Sequence, residues 1–181
     1  MARTLGGLCV AALAMTLGMG AIGCGGDDTE STPKCLTDEG GTTPSAHFKA
    51  DVLPIFQRSC GLSPSCHGTN PGTKSTSPID NKPQHQPFLG PALPATATDA
   101  EIAQIIKEVV GIAATRDPSM SIVTAGDPKH SFLMHKMDGL CGSELKCGDG
   151  CGQGMPQGEQ PLAAGDRDKI RGWIAAGAKN D

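Results

Sequence analysis

Tyrosine is absent from the 181 residues, and the aromatic side chains are only Phe48, Phe56, Phe88, Phe132 and Trp173. Aromatic rings supply much of the buried area in an ordinary core, so the apolar interior of this chain must be thin and something else must help to hold it. The short motifs of side-chain catalysis are missing as well. There is no Gly-x-Ser-x-Gly, no His-Glu-x-x-His and no phosphate-binding loop, and the acidic residues are scattered without an evident pair. These gaps argue against catalysis by side chains alone, and the chain is expected not to be an enzyme. Basic residues are outnumbered, 15 against 19 acidic, for a net charge of −4. Nothing in that balance courts nucleic acid or anionic lipid.

What is present starts at the first residues. Arg3 supplies a positive n-region, and Leu5 to Ile22 is an uncharged run of Leu, Ala, Val, Met and Gly, the layout of a secretory signal peptide. It ends in Ala21-Ile22-Gly23-Cys24, small residues ahead of a cysteine. This resembles the lipobox cut by the lipoprotein signal peptidase and implies lipidation of Cys24. An uncleaved anchor helix and a plain secreted protein are the alternatives. From Gly25 to Glu30 the chain is too polar for any membrane helix to continue. The chain thus divides into a signal peptide (1–23), a lipidated flexible tether (24–46) and a single domain (47–181). The expected location is outside the cytoplasm, on the bacterial cell membrane or outer membrane, facing the periplasm or exterior. One acyl chain holds weakly, so stable anchoring requires the multiply acylated form of bacterial lipoproteins.

Export bears on the cysteines. Cys9 leaves with the signal and Cys24 carries lipid, so Cys35, Cys60, Cys66, Cys141, Cys147 and Cys151 remain, an even number in a compartment where disulfides persist. The glycine-rich stretch with Cys141, Cys147 and Cys151 reads as a disulfide knot, with Cys35 as its fourth partner, that shapes the loop leading to Met155. Three such thiols would suit zinc in a reducing cell, and export argues against that.

The domain reads as all-α, about four short helices with long loops. Phe48, Val52, Ile55 and Phe56 recur at helical spacing within Ala46 to Arg58, with Pro54 ending or kinking the helix. Residues 68–97, rich in proline, form a wrapping loop. Thr98 with Glu101 is a capping signal ahead of Ile102, Ile105, Ile106, Val109 and Val110. Asp127-Pro128 opens a third segment lined by Phe132, Leu133 and Met137 and closed by Gly139, and Ile170, Trp173, Ile174 and Gly177 follow Asp166 as an amphipathic helix.

Chemistry concentrates in Ser59-Cys60-Gly61-Leu62-Ser63-Pro64-Ser65-Cys66-His67-Gly68. In c-type haem attachment two thiols form thioethers with the vinyl groups, and the histidine after the second cysteine ligates the iron. The usual spacer is two residues and here it is five. The extra residues must bulge outwards, and Gly61 and Pro64 favour tight turns. An ordinary Cys60–Cys66 disulfide beside a surface His67, or another metal site using His67 with thiolates, remain open.

The pattern resembles the cytochrome c-like domains of predicted lipoproteins from myxobacteria and planctomycetes. The resemblance runs through Asp51-Val52-Leu53-Pro54-Ile55-Phe56, Cys66-His67-Gly68, Gly126-Asp127-Pro128, Ser131-Phe132-Leu133-Met134, Lys136-Met137, Gly154-Met155-Pro156, Trp173-Ile174 and Gly177-Ala178. It implies covalent haem c with its iron held by His67 and Met155, a last helix packed across the first, and single-electron exchange with redox protein partners. Phe56, Ile105, Leu133 and Trp173 would keep water from the haem. His130, Met134, His135 and Met137 are alternatives to Met155 as the second ligand, whereas His47 and His85 read as solvated. The alternative function is a disulfide-stabilised binding or structural lipoprotein on the same scaffold without haem.

Overall fold

Pro54 decides how the first element is built, because it brings no N–H to the middle of an apolar, helix-spaced stretch. In the computed structural model the turn ahead of it, Phe48–Val52, is wound as a π-helix in which the N–H of Leu53 reaches the carbonyl of Phe48. The regular helix α1 (Leu53–Ser59) begins after that, with Pro54 in its first turn, where a missing donor is tolerated. The expected helix is therefore present but built in two pieces.

The structure describes residues 36, 44–68, 87–148 and 150–181, all within one compact unit, Thr32–Asp181. The signal peptide, Cys24, Cys35, His85 and the prolines between 69 and 86 lie outside the described residues.

Helix α2 (Asp99–Val109) carries the complete capping box expected of it: the Glu101 N–H donates to the Thr98 hydroxyl, and the Thr98 N–H donates to the Glu101 carboxylate at 2.7 Å. Its buried face is Ile102, Ile105 and Val109. Val110 leaves the helix and pairs with Val123, and two further isolated bridges, Ala113–Ser121 and Ser121–Ser131, tie residues 110–131 together. Asp127 caps the short 3₁₀ turn Pro128–His130, and α3 (Phe132–Met137) follows. The last helix, α4 (Ala164–Ala175), starts slightly ahead of Asp166, which lies in its first turn. The coarse expectation of a small all-α domain with four short helices holds, and among the described residues no helix is long and apolar enough to cross a membrane.

Three of the five aromatics are concentrated where the first helical segment meets the last helix. Trp173 on α4 lies 5.1 Å from Phe48 and 6.5 Å from Phe56, ring centre to ring centre, and all three rings are fully buried. Rings of this size bury 150–250 Å² each, worth about 4–6 kcal/mol apiece at ~25 cal/mol/Å² before ordering costs. The indole N–H is not orphaned, since it donates to the Lys179 carbonyl at 2.8 Å. Arg58 and Asp166 pair at 2.6 Å across the same junction. Helix α4 thus packs on the first helical segment and fixes the end of α1, from which the chain runs into Cys60.

Candidate functional site at Cys60, Cys66 and His67

The end of α1 sets the first thiol. The N–H groups of Cys60 and Gly61 both donate to the Phe56 carbonyl, at 2.8 and 2.6 Å, and Cys60 packs against the main core cluster, which includes Phe56, Ile105, Leu133 and Trp173. Gly61 is required here: a Cβ on it would stand 2.8 Å from the carbonyl oxygen of Gly90. Gly68 closes on it from the other side, where a Cβ would fall 2.0 Å from the Gly61 carbonyl oxygen. No larger residue fits either position while the backbones stay in place.

Between these glycines the spacer is pushed outwards. The Ser63 carbonyl accepts the N–H groups of Cys66 and Gly68, both at 3.0 Å, and Leu62 is 51% exposed at the tip. The base of the bulge is pinned by the N–H of His67 donating to the Cys60 carbonyl at 3.0 Å. The outward bulge that the long spacer demands is therefore present. Cys60 and Cys66 are free thiols, not joined to each other. Burial pushes the Cys60 thiol up to about 12, and the neighbouring Cys66 sulfur adds to the effect.

His67 is oriented by a partner that sequence patterning passed over. Its Nδ1 faces the carbonyl oxygen of Pro87 at 3.0 Å, a pairing that places the ring proton on Nδ1. The chain at Pro87 is held in turn by the Leu89 N–H donating to the His67 carbonyl at 2.8 Å and by the Phe88 N–H donating to Glu108 at 2.7 Å. Nε2 makes no hydrogen bond to the described residues. Burial holds the imidazole below its ordinary value, the Pro87 bond opposing and the Lys136 charge adding to it. The neutral ring is thus favoured, with the Nε2 lone pair engaged by no described residue, the form in which histidine binds a metal.

Met155 is half-buried, on a loop that α3 holds. Its N–H donates to the Lys136 carbonyl at 2.7 Å, while the Lys136 ammonium donates to the carbonyls of Cys151 (2.9 Å) and Gln153. The disulfide Cys147–Cys151 closes the start of this loop. Cys141 is disulfide-bonded too, so the knot is present, while its proposed partner Cys35 lies outside the described residues.

The other candidate ligands have different employment. Met134 and Met137 are core residues, 2% and 3% exposed. His135 has both ring nitrogens against carbonyl oxygens, those of Cys141 and Lys129. His130 is exposed and paired with Asp127 at 2.6 Å, and His47, also exposed, pairs with Asp181 at 3.0 Å. Among the described residues no three His, Cys, Asp or Glu side chains converge on a metal site of their own. Two free thiols and an imidazole whose Nε2 no described residue engages are donors of the kind that hold covalent haem, and the Met155 thioether lies on a separate braced loop.

No family model matches the chain, and neither a curated protein nor a solved structure is similar to it.

Proposed function

We propose that residues 47–181 form a cytochrome c-like electron carrier, in which Cys60 and Cys66 would hold haem through thioethers and His67 and Met155 would ligate its iron, on a lipid tether at Cys24 outside the cytoplasm. The observation that carries this reading is the orientation of His67. A buried imidazole with Nδ1 on a backbone carbonyl and Nε2 uncommitted, directly after a free cysteine, has the tautomer and the basicity of an axial ligand. Bound haem would supply a one-electron redox couple, the chemistry an electron carrier needs.

The chain's own residues account for the rest. Pro87 fixes the ring plane of His67, and the Cys60 carbonyl fixes its backbone. The core cluster containing Phe56, Ile105, Leu133 and Trp173 backs Cys60 and lowers the local dielectric. A methionine and histidine pair holding the iron would raise its reduction potential.

Expression with a c-type maturation system tests the reading. The product should be red, with a sharp reduced α-band and a mass gain equal to haem that survives acid acetone. A colourless protein with Cys60 joined to Cys66 in its native host would overturn it.

A further inference from the structure

The loop carrying Met155 is held by an unusual economy of contacts. One residue of α3, Lys136, binds it at both ends: the ammonium takes the carbonyls of Cys151 and Gln153, and the backbone carbonyl takes the Met155 N–H. The loop runs close along the lysine without needing its glycines to make room for it. A Cβ on Gly152 would stand 3.4 Å from the Lys136 nitrogen, and one on Gly154 would stand 3.5 Å from its carbonyl oxygen. The Phe132 ring lies 5.8 Å from the ammonium, a cation–π contact that restrains the lysine from within its own helix. Upstream, the Cys147–Cys151 disulfide limits where Cys151 can go. No helix or strand includes residues 151–155, so these bonds, rather than regular structure, define the backbone from which the Met155 side chain projects.

We infer that Lys136 is the positioning residue for the distal ligand: by tying Cys151, Gln153 and Met155 to α3 it holds the Met155 thioether in reach of the iron. This rests on the haem reading above. A methionine on an unbraced loop would have to be ordered at each ligation, and a weak thioether–iron bond competes poorly with water under that entropic load. Removing the ammonium while leaving the Met155 side chain intact should therefore loosen the distal ligand without affecting haem attachment, which depends on Cys60, Cys66 and His67. Loss of a structural prop alone would lower stability and leave the iron spectrum unchanged.

The test compares holoprotein of the natural sequence with K136M, K136Q and K136R. In K136M the covalent haem should remain, while the far-red sulfur-to-iron charge-transfer band disappears, the reduction potential falls and the Met155 amide exchanges with solvent at least tenfold faster. K136Q, which keeps a donor on a shorter side chain, should fall between, and K136R should restore the band. A K136M protein with full haem, an unchanged charge-transfer band and unchanged potential overturns the role of Lys136 and leaves the haem reading standing. Should K136M fail to fold, K136Q and K136R decide the point: a band equally strong in both also overturns it. Natural-sequence protein without haem overturns the reading and this role together.

Discussion

The N–H of His67 donates to the carbonyl of Cys60 at 3.0 Å although six residues separate them. That one bond closes the long spacer into a local turn at its base, with Ser63, Pro64 and Ser65 between the two thiols proposed to hold haem. Removing those three residues should leave Cys60-Gly61-Leu62-Cys66-His67 able to receive haem at least as well as the natural chain. Haem absorbance per mole of purified protein measures this. A colourless deletion beside a red natural protein would show that the outer turn itself is needed.

A second expectation concerns the reactivity of the two thiols. Cys60 is raised from 9.0 to about 12 by burial and by Cys66, and the thiolate is the reactive form. A rise of three units cuts the thiolate fraction at neutral pH about a thousand-fold. In haem-free, reduced protein, iodoacetamide should therefore modify Cys66 well before Cys60, as resolved by peptide mass mapping. Denaturant should abolish the difference, and equal rates in the folded protein would contradict the buried placement of Cys60.

The cysteine knot has an acid-sensitive fastening. The Asp117 carboxylate accepts the Lys146 N–H at 2.7 Å and the Ser119 hydroxyl at 2.6 Å, and these bonds, that to Lys146 foremost, hold it below its usual 3.8. A carboxylate lowered in the folded state contributes stability above its unfolded value, and that contribution is lost as pH falls through the folded value. The loop from Cys141 to Cys151 should then loosen selectively below pH 3.8, seen as faster exchange of the Lys146 amide. Asp117→Asn should show that faster exchange already at neutral pH and lose the pH dependence. A Lys146 amide equally protected in the variant would rule Asp117 out as the fastening.

How far these features were legible depends on whether their signal is local. The α2 cap was readable because Thr98 and Glu101 satisfy each other within one turn, and the apolar spacing of α4 survives in any context. The long Cys60–Cys66 spacer announced its bulge, since only an outward excursion brings Cys60 and His67 together. Pro87 reads in the sequence only as one proline of the wrapping loop 68–97, because what faces His67 is its backbone carbonyl, a group every residue owns. Lys136 was likewise invisible in its role: a lysine near a helix end is ordinarily solvated, and only the fold brings residues 151–155 under it. The π turn ahead of Pro54 escaped notice because the apolar spacing fits a regular helix equally well.

Asp138 is the clearest case of a partner set by fold alone, and it supports the last prediction. It sits just past α3, 6% exposed, and its carboxylate meets Arg167 at 2.7 Å and Arg171 at 3.2 Å, both from α4. Its backbone carbonyl also accepts the Leu36 N–H at 3.0 Å. A buried carboxylate between two guanidinium groups adds little net stability over an apolar replacement of all three, but removing it alone leaves positive charges in a low-dielectric site. Asp138→Ala should cost roughly 3–5 kcal/mol in a denaturant melt, whereas Asp138→Leu combined with Arg167→Met and Arg171→Met should recover most of it. Because α3 carries Lys136 and α4 carries Trp173, the single variant should also lose near-UV signal from Trp173 before global unfolding. A loss below about 1 kcal/mol, the range of exposed ion pairs, would mean that the α3–α4 junction is held by apolar packing alone.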